Sequence, residues 1–487
     1  MDKPLVYISN LNLQYAGLPV LCDLNWNIYA GEHWVIGGKS GSGKSSLAKA
    51  IVGQEKFTGE IICNYDNPSK LMPIAYYVSN WYQFANLEGD RNFYYQQRYN
   101  KHQQNDTLTV YADLLHFGEK NNLNFQDAEP ILDALGFNNC RETQLIELSS
   151  GEHKKLQLIQ ALWFKPQILI LDEPYTGLDK IARVNLNILL DRLAELGTTL
   201  ILISNDFTVP SSINRFGEIE DGKINTVDNI NAFSLDETRQ SKPFPYFLQK
   251  DPPGEAQTIV ELRDVSVKYG DKVVLKDINW KVARGEKWLL QGHNGSGKST
   301  LLSLLNADHP QAYASDIWLF GQKRGSGESI WDIKEKIGII SPELHWYFDK
   351  NATVWHTVAS GYYDSIGWFL KVKYEEQRQI EQLLDFFDLL EVKDKLLHTL
   401  PLGKQRLALL ARTIIKNPQL LILDEPCQGL DRTQAAHFNA VVDELSRYGK
   451  TLIYVGHYES HLPSCIDHRL ELEKGEVMKT QNILEKA

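Results

Sequence analysis

One glycine-rich stretch occurs twice, as Gly38-Lys39-Ser40-Gly41-Ser42-Gly43-Lys44-Ser45 and as Gly292-His293-Asn294-Gly295-Ser296-Gly297-Lys298-Ser299. Both copies fit the pattern G-x-x-x-x-G-K-[ST], in which the glycines let successive backbone N–H groups point at phosphate oxygens. The copies lie 254 residues apart, and each stands between an apolar strand pattern and an apolar helix pattern. The repetition in this context predicts two phosphate-binding loops, each of which opens a helix whose positive end faces the anion.

The residues that close each loop predict how a nucleotide and its metal ion are held. The lysines Lys44 and Lys298 are expected to neutralise the β- and γ-phosphates, and the hydroxyls of Ser45 and Ser299 to reach Mg²⁺. The predicted nucleotide-binding set contains every residue of the two loops, together with the residues that follow them, Ser46 and Thr300. ATP and Mg²⁺ are therefore the expected cofactors.

Length and composition limit the classes of protein that remain. A chain of 487 residues with 43% apolar and 23% charged residues is typical of a soluble protein with two or three domains. The net charge of −11 argues against broad nonspecific binding to nucleic acid, although a local basic patch would be compatible with it. The five scattered cysteines contain no C-x-x-C pair, so a disulfide framework or a metal cluster is not expected.

The repeat continues well beyond the phosphate loops. Each half contains an aliphatic run that ends in Asp-Glu-Pro, with Asp172-Glu173 in the first half and Asp424-Glu425 in the second. A carboxylate at the end of a buried strand can hold Mg²⁺ through water, and the adjacent glutamate can polarise the attacking water. The aliphatic runs alternate with helical patterns, which predicts an α/β core with buried parallel strands in each half. Asp172 and Asp424 join the serines as metal residues, and Glu173 and Glu425 are the candidate catalytic residues.

A third element lies about twenty residues before the first Asp-Glu pair, as Leu148-Ser149-Ser150-Gly151-Glu152. In this position it resembles the signature of ABC-type ATPases, so both halves look like ABC ATPase domains. The resemblance implies a P-loop α/β core with an antiparallel β part and a helical subdomain. It also implies that Tyr15 and Tyr269 stack on adenine, and that Ser149, Ser150, Gly151 and Gly403 are signature residues that contact the nucleotide held by the other half.

The sequence is also similar to the ModF (photorepair-protein-like) tandem ATPases, which are linked by name to molybdenum transport. Three stretches carry this likeness: Asp308-His309-Pro310-Gln311-Ala312-Tyr313, Gly325-Ser326-Gly327-Glu328-Ser329-Ile330-Trp331-Asp332-Ile333-Lys334 and Ser360-Gly361-Tyr362-Tyr363-Asp364-Ser365-Ile366-Gly367. The expected domains are 1–230 and 258–487, joined by a proline-bearing linker at 231–257. A polar and aromatic stretch at 92–106 is expected to be a surface loop, with partner docking or nucleotide sensing as the alternative.

The resemblance implies two composite ATP sites that are not alike. The site of the second loop would use the intact first signature, Glu425 and the switch residue His457. The site of the first loop would use Glu173, Asn205 at the switch position and a second signature that reads Leu400-Pro401-Leu402-Gly403-Lys404. Proline lacks the serine hydroxyl and a backbone donor, and asparagine cannot exchange a proton near neutral pH. The second-loop site is predicted to hydrolyse ATP, and the first-loop site mainly to bind it.

Three functions stay open at this point. The first is an ATPase that pairs its halves within one chain and energises a separate membrane permease, with molybdate as the candidate substrate. The second is a soluble regulator or repair factor that acts on a macromolecule, including the ribosome as a special case. The third is a nucleotide sensor with little turnover. The family's glutamine after the strand that follows the first helix is replaced by Asn80 and Pro342, which counts against a conventional importer. A cytoplasmic location is expected, peripheral at the inner face of the membrane if a permease is bound.

Overall fold

The computed structural model describes all residues except 1–2, 16–17, 40, 65–74, 80–106, 149, 179, 205–208, 231–241, 251–255, 270–271, 307–308, 347, 350, 365–371, 429, 431, 457–461 and 484–487. The described residues fall into two compact units, one up to Ile230 and the other from Lys242 onward. The loop predicted at 92–106 and the residues Ser40, Ser149, Asn205 and His457 lie outside the described part of the chain.

The first unit combines a three-stranded antiparallel sheet with a larger mixed sheet. Its strands are β1 Val6–Tyr15, β2 Leu18–Ile28, β3 Trp34–Gly37, β4 Thr58–Cys63, β5 Ala75–Val78, β6 Ile168–Asp172, β7 Thr199–Ile203, β8 Arg215–Glu220 and β9 Lys223–Val227. Its α-helices are α1 Lys44–Ile51, α2 Val110–Asn121, α3 Glu129–Ala134, α4 Ser150–Phe164 and α5 Lys180–Glu195. The antiparallel sheet has the order β2-β1-β4, and the six-stranded sheet has the order β5-β6-β7-β3-β8-β9.

The second unit repeats this plan. Its strands are β10 Thr258–Tyr269, β11 Lys272–Ala283, β12 Lys287–Gly292, β13 Asp316–Leu319, β14 Gln322–Lys323, β15 Ile337–Ile340, β16 Leu420–Asp424, β17 Thr451–Val455, β18 His468–Glu473 and β19 Glu476–Asn482. Its α-helices are α6 Lys298–Leu305, α7 Ile330–Lys334, α8 Pro342–Trp346, α9 Val354–Ala359, α10 Tyr374–Phe386, α11 Leu402–Ile414 and α12 Arg432–Arg447. The six-stranded sheet runs β15-β16-β17-β12-β18-β19, the same order as in the first unit.

The central strands are parallel and fully covered. Every residue of β6, β7, β16 and β17 is buried, as their mainly aliphatic sequences predict for strands that are covered on both faces. Only the last strand of each six-stranded sheet, β9 or β19, runs antiparallel to its neighbour. The predicted α/β class, with an antiparallel part and a helical subdomain in each half, is confirmed.

The helical subdomains begin at equivalent threonines. The side chain of Thr109 accepts a hydrogen bond from the backbone N–H of Ala112 at 3.2 Å and caps α2, and Thr353 caps α9 in the same way through His356. A threonine cap satisfies one of the N–H groups that the first helical turn leaves without a partner. Each threonine also forms an isolated β-bridge to the segment that leads to the signature helix.

Residues 242–250, which the sequence assigns to the linker, pack against the second unit. Phe244 stacks on Tyr448 at an interplanar angle of 9°, and Leu248 is fully buried in the core of the helical subdomain. Lys242 forms ion pairs with Asp385 and Asp388 at 2.9 and 2.8 Å. This segment therefore contributes to the second unit, although the limits proposed for the domains stay a prediction.

Candidate nucleotide sites

Both phosphate loops hold their lysine through the loop's own carbonyl groups. The Lys44 ammonium donates to the carbonyl oxygens of Gly38 and Lys39 at 2.6 and 2.7 Å. In the second unit the Lys298 ammonium donates to those of Gly292 and His293 at 2.7 and 3.0 Å. Each loop therefore curls around its ammonium group and keeps the positive charge next to the N-terminus of α1 or α6, a geometry compatible with phosphate binding.

The first glycine of each loop is required by the close approach of another backbone, and the last glycine by its own backbone conformation. A Cβ atom at Gly38 would lie 2.6 Å from the carbonyl oxygen of Ile219, and one at Gly292 would collide with that of Leu472. The helix caps Gly43 and Gly297 have φ values of 103° and 101°, a conformation that residues with a side chain rarely adopt. The loop sequence thus fits this backbone for steric reasons before any ligand is considered.

The sheet order brings the acidic motif next to the phosphate loop. In the first unit β7 lies between β3, which precedes the phosphate loop, and β6, which ends at the acidic motif. In the second unit β17 lies between β12 and β16 in the same way, and the three strands of each set are parallel. The carboxyl ends of parallel strands meet at one edge, where α/β proteins bind their ligands. Asp172 and Asp424 end β6 and β16 and are 4% and 9% exposed.

The two candidate catalytic glutamates have strained backbones. Glu173 has a φ of 46° and Glu425 one of 43°, in the left-handed region that glutamate seldom enters. Each is anchored by its N–H, which donates to the carbonyl of Ile203 or Val455 in the neighbouring strand. In the second unit Nε2 of Gln428 also donates to Glu425 Oε2 at 3.1 Å. Strain of this kind concentrates at functional sites, where the surrounding structure holds it in place.

One hydrogen bond distinguishes the two aspartates that are predicted to hold the metal ion, and the sequence motifs do not reveal it. The hydroxyl of Tyr77 on β5 donates to Oδ2 of Asp172 at 2.8 Å. Burial and, next, the charge of Asp172 raise the pKa of Tyr77, so the hydroxyl stays a donor. In the equivalent register the second unit has Ile339, which cannot form this bond. Tyr77 therefore uses one acceptor position of Asp172, and nothing equivalent is supplied from position 339.

A buried lysine ties the first signature helix to the acidic motif of the same unit. The Lys154 ammonium on α4 donates to the carbonyl oxygens of Asp172 and Ser79 at 3.0 and 2.9 Å. Burial lowers the pKa of Lys154 to about 8, and the carboxylates of Asp172 and Glu173 oppose that shift. The second unit has Arg406 at this position of α11, also fully buried. This buried basic residue could have been found from the sequence, because Lys154 and Arg406 each stand three residues after the signature glycine and on the same helix.

The two signatures start their helices differently. Helix α4 begins at Ser150, and Gly151 in its first turn is buried. Helix α11 begins at Leu402 after Pro401, which serves as its N-cap without a side-chain hydrogen bond. The side chain of Gln434 packs directly against the backbone of Gly403, where a Cβ atom would collide with it. The second signature thus keeps the glycine, as Gly403, but has no hydroxyl at the positions of Ser149 and Ser150.

The two predicted adenine-stacking tyrosines each expose part of the ring. Tyr15 is 43% and Tyr269 40% exposed, at the ends of the equivalent strands β1 and β10. The Tyr15 hydroxyl lies 3.3 Å from Oγ of Ser46, one of the residues predicted to bind nucleotide. Tyr269 instead makes its hydroxyl contact with His309, at 2.7 Å. Both rings are placed where a flat ligand could stack on them.

Behind each acidic motif an asparagine stands at the equivalent position, but the tyrosine hydroxyl that contacts it comes from a different element in each unit. In the first unit the Tyr175 hydroxyl donates to Oδ1 of Asn187 at 2.7 Å. In the second unit Cys427 replaces this tyrosine, and the hydroxyl of Tyr454 on β17 lies 3.3 Å from Oδ1 of Asn439. Burial raises the pKa of the Cys427 thiol to about 11, which keeps it protonated and unreactive.

Comparison with known families agrees with this geometry. The model of the family described as ABC transporter matches residues 21–176 and again residues 275–428, one match in each unit. Each match spans a phosphate loop, a signature and an Asp-Glu motif. The chain belongs to the ABC transporter family. It is an ATP-binding protein with two ABC domains in tandem, as the sequence predicts.

Two similar proteins align with nearly the whole of this chain, and a third aligns with about half of it. The ABC transporter ATP-binding protein ModF of Escherichia coli is 35% identical over 463 residues, which cover 91% of both chains. An uncharacterised ABC transporter ATP-binding protein of Schizosaccharomyces pombe is 29% identical over 97% of this chain and 99% of its own length. The uncharacterised YlmA of Bacillus subtilis is 31% identical over 47% of this chain and 86% of its length. The predicted ModF-like tandem ABC ATPase is therefore confirmed. Within the described residues, the structure contains no helix long and apolar enough to span a membrane.

Proposed function

We propose that the chain hydrolyses ATP at one of two unlike sites and mainly binds it at the other. Each site combines the phosphate loop of one half with the signature of the other half, so the two halves pair within the chain. The main support for this proposal is the difference between the two signatures, because Pro401 and Leu402 stand where the first half has Ser149 and Ser150. The hydrogen bond from Tyr77 to Asp172, with Ile339 in the equivalent register, supports a difference between the two metal sites.

The hydrolytic site contains Lys298 and the residues of the second half. Lys298 neutralises phosphate charge, and Glu425 polarises the attacking water. His457, after β17, accepts or returns a proton at the γ-phosphate. Ser299 and Asp424 would hold Mg²⁺, because a hydroxyl and a carboxylate supply the oxygen donors that this ion prefers. When bound, the ion offsets the charge that develops on the phosphates.

The binding site has the same parts with weaker chemistry. Lys44 and Ser45 hold the nucleotide, and Asp172 completes the oxygen donors for Mg²⁺. Glu173 is present, but the switch position holds Asn205, which can form hydrogen bonds without exchanging a proton near neutral pH. The signature that would close on this nucleotide is the second one, which begins at Leu400 and contains Pro401. Loss of an orienting contact of this kind commonly lowers a rate by about 10²–10³-fold.

Substitution of the two loop lysines tests the assignment. We expect Lys298→Ala to lower steady-state phosphate release by about 10²-fold or more, since the lost charge acts on the transferred group. Lys44→Ala should keep most of the turnover and lose only the nucleotide bound at the first site, measured by equilibrium dialysis with radiolabelled ATP. Equal loss of turnover in both variants would show that the sites are equivalent or strictly coupled, contrary to the proposal.

The ATPase is proposed to energise a separate membrane permease, with molybdate as the candidate substrate. The tandem ABC domains and the similarity to ModF support a role in transport. Such a chain would reside in the cytoplasm and bind the inner face of the membrane through its partner. Purification from solubilised membranes in the presence of a nonhydrolysable ATP analogue tests this role. A stoichiometric integral membrane protein is expected, and recovery from the soluble fraction without one would contradict it.

A soluble regulator acting on a macromolecule is the second candidate, and one observation favours it. Pro342, at the position of the family's glutamine, is buried and starts helix α8. Nε2 of His345 in that helix donates to Oε1 of Gln405 on the signature helix at 2.6 Å. The segment that senses nucleotide and meets the membrane partner in transporters is therefore tied to the signature helix of its own unit. If turnover is stimulated by a soluble fraction and not by membranes, this second function is favoured.

A further inference from the structure

The turn at residues 309–314 packs beside the end of β10 and has no role in the ATPase scheme above. It is a short 3-10 turn over Pro310–Ala314, with His309 as its N-cap. His309 is 1% exposed, and Ala312 within the turn is fully buried. Its polar groups are directed at β10, and specifically at Tyr269 and the residue before it. The turn lies in one of the three stretches that carry the likeness to the ModF tandem ATPases.

His309 donates a hydrogen bond to the Tyr269 hydroxyl. Nδ1 of His309 accepts from the backbone N–H of Gln311 at 3.1 Å, so in the neutral ring the proton is on Nε2. Nε2 lies 2.7 Å from the hydroxyl of Tyr269. Burial lowers the pKa of His309 to about 4, which keeps the ring neutral and this tautomer fixed at neutral pH. The two rings also meet edge to face, with centroids 5.8 Å apart.

Gln311 fixes the backbone from which Tyr269 extends. Its Nε2 donates to the carbonyl oxygen of Lys268 at 2.7 Å, and its Oε1 accepts from the N–H of Lys268 at 3.3 Å. One side-chain amide therefore pairs with both backbone groups of the residue before the tyrosine. His309 therefore holds the hydroxyl of Tyr269, and Gln311 holds the backbone that precedes it. These two contacts from one turn leave the Tyr269 ring little freedom to rotate or shift.

The first unit does not reproduce this arrangement. The Tyr15 hydroxyl contacts Ser46 of the phosphate-loop helix, and a hydrogen bond to Glu55 also acts on it. Glu55 thus bonds the Tyr15 hydroxyl as His309 bonds that of Tyr269, but within the described residues no side-chain amide pairs with the backbone of Gln14, the residue before Tyr15, as Gln311 does with that of Lys268. The double support is therefore specific to the site proposed to hydrolyse ATP.

We propose that His309 and Gln311 are positioning residues that hold Tyr269 in place for an adenine base and so strengthen ATP binding at the second site. The inference rests on the proposed function, since Tyr269 must be the residue that stacks on the base. A flat aromatic ring binds a base through its face without contacting the phosphates. The supporting turn should therefore affect the base-dependent part of the affinity and leave the phosphate-dependent part unchanged.

Calorimetric titration of the full chain tests this, with Lys44→Ala as background to remove binding at the first site. The probes are ATP and inorganic tripolyphosphate, each with Mg²⁺. Tyr269→Ala should weaken ATP binding about tenfold or more. His309→Ala and Gln311→Ala should each weaken it about fivefold, the value of one net hydrogen bond. Tripolyphosphate affinity should stay unchanged in all three variants.

Two controls separate positioning from a general loss of structure. Ser315→Ala removes a hydroxyl that bonds the carbonyl of Gln311 in the same turn without touching Tyr269, and should leave ATP affinity unchanged. His309→Gln keeps a donor and should restore most of the affinity. Combining Tyr269→Phe with His309→Ala should add nothing to either change alone, because both remove the same bond.

The outcomes also separate this inference from the proposed function. If Tyr269→Ala leaves ATP affinity unchanged, the adenine assignment of Tyr269 is wrong and the inference falls with it. If Tyr269→Ala weakens ATP while His309→Ala and Gln311→Ala do not, the assignment stands and the positioning role is wrong. Equal weakening of ATP and tripolyphosphate in His309→Ala would mean that the turn acts on the whole site.

Discussion

The Glu425→Gln variant is expected to hydrolyse ATP about 10²–10³-fold more slowly than the wild type. Glutamine keeps the size of the side chain and can still accept the hydrogen bond from Gln428, so the strained backbone at φ 43° is not expected to relax. What is lost is the negative charge that polarises the attacking water. Glu173→Gln should leave most of the turnover intact, because the site of Glu173 is proposed to bind ATP with little hydrolysis.

The equivalent glutamates are matched controls for each other. Both follow a buried aspartate at the end of a central strand, and both have a φ near 45°. Single-turnover and steady-state phosphate release should be measured for both variants under the same conditions, together with nucleotide binding. Glu425→Gln should retain ATP binding while it loses turnover. A comparable loss in Glu173→Gln would mean that both sites hydrolyse, and the asymmetry drawn from Pro401 would be wrong.

Replacing Asp364 with asparagine is expected to lower the free energy of unfolding by about 3–5 kcal/mol. The Asp364 carboxylate lies 3.5 Å from Nη2 of Arg412 and 3.0 Å from Nζ of Lys416, on and just after the signature helix α11. Both basic side chains are almost fully buried, and burial lowers the pKa of each while Asp364 opposes the shift. Without the carboxylate, two buried positive charges would lose their counter-charge. Nε of Arg412 would keep its bond to Ser360.

Asp388→Asn provides the matched control for Asp364→Asn. Asp388 also has a positive φ, 54° against 52° for Asp364, so asparagine suits both backbones equally. Its partner Lys242 is exposed, so solvent screens the ion pair and its loss should change the stability little. Urea unfolding of the full chain, followed by tryptophan fluorescence, should separate the two variants. Similar small losses in both would show that Asp364 does not stabilise the signature helix of the second unit.

The parts of the site that follow from local spacing were predictable from the sequence. A phosphate loop is contiguous, and its glycines are required by close contacts that any chain with this loop must make, as at Gly38 and Gly292. The aspartates at the ends of β6 and β16 follow from aliphatic runs of strand length. The α/β fold follows from the alternation of such runs with helical patterns.

The parts that depend on strand register were not predictable. Tyr77 meets Asp172 because β5 pairs with β6, although 95 residues separate the two side chains. Tyr269 meets His309 across 40 residues because the turn that His309 caps packs beside the end of β10. The strained φ at Glu173 and Glu425 has no sequence signal, since glutamate does not favour that conformation. Such features depend on the packed fold.

Local composition was equally uninformative about residues 242–250. Prolines at 243 and 245 are typical of a linker, and they also allow the extended backbone that places Phe244 and Leu248 against the second unit. Only the large apolar residues of this segment indicate packing. The partners of Phe244, which are Phe386 and Tyr448, are more than a hundred residues away in the sequence. A proline-bearing segment with large apolar residues is therefore weak support for a domain boundary.

The bonding of Asn187 and Asn439 limits how far the two halves can be exchanged. The first half supplies its hydroxyl from Tyr175 and has Leu202 at the place of Tyr454, whereas the second half has Cys427 at the place of Tyr175. Grafting the turn after Asp-Glu-Pro from the first half into the second would bring two tyrosines to one asparagine. The reverse graft would bring a thiol in place of the hydroxyl. We therefore expect a chimera of the two halves to keep one tyrosine hydroxyl at each asparagine only when the turn and its neighbouring strand, β7 or β17, are transferred together.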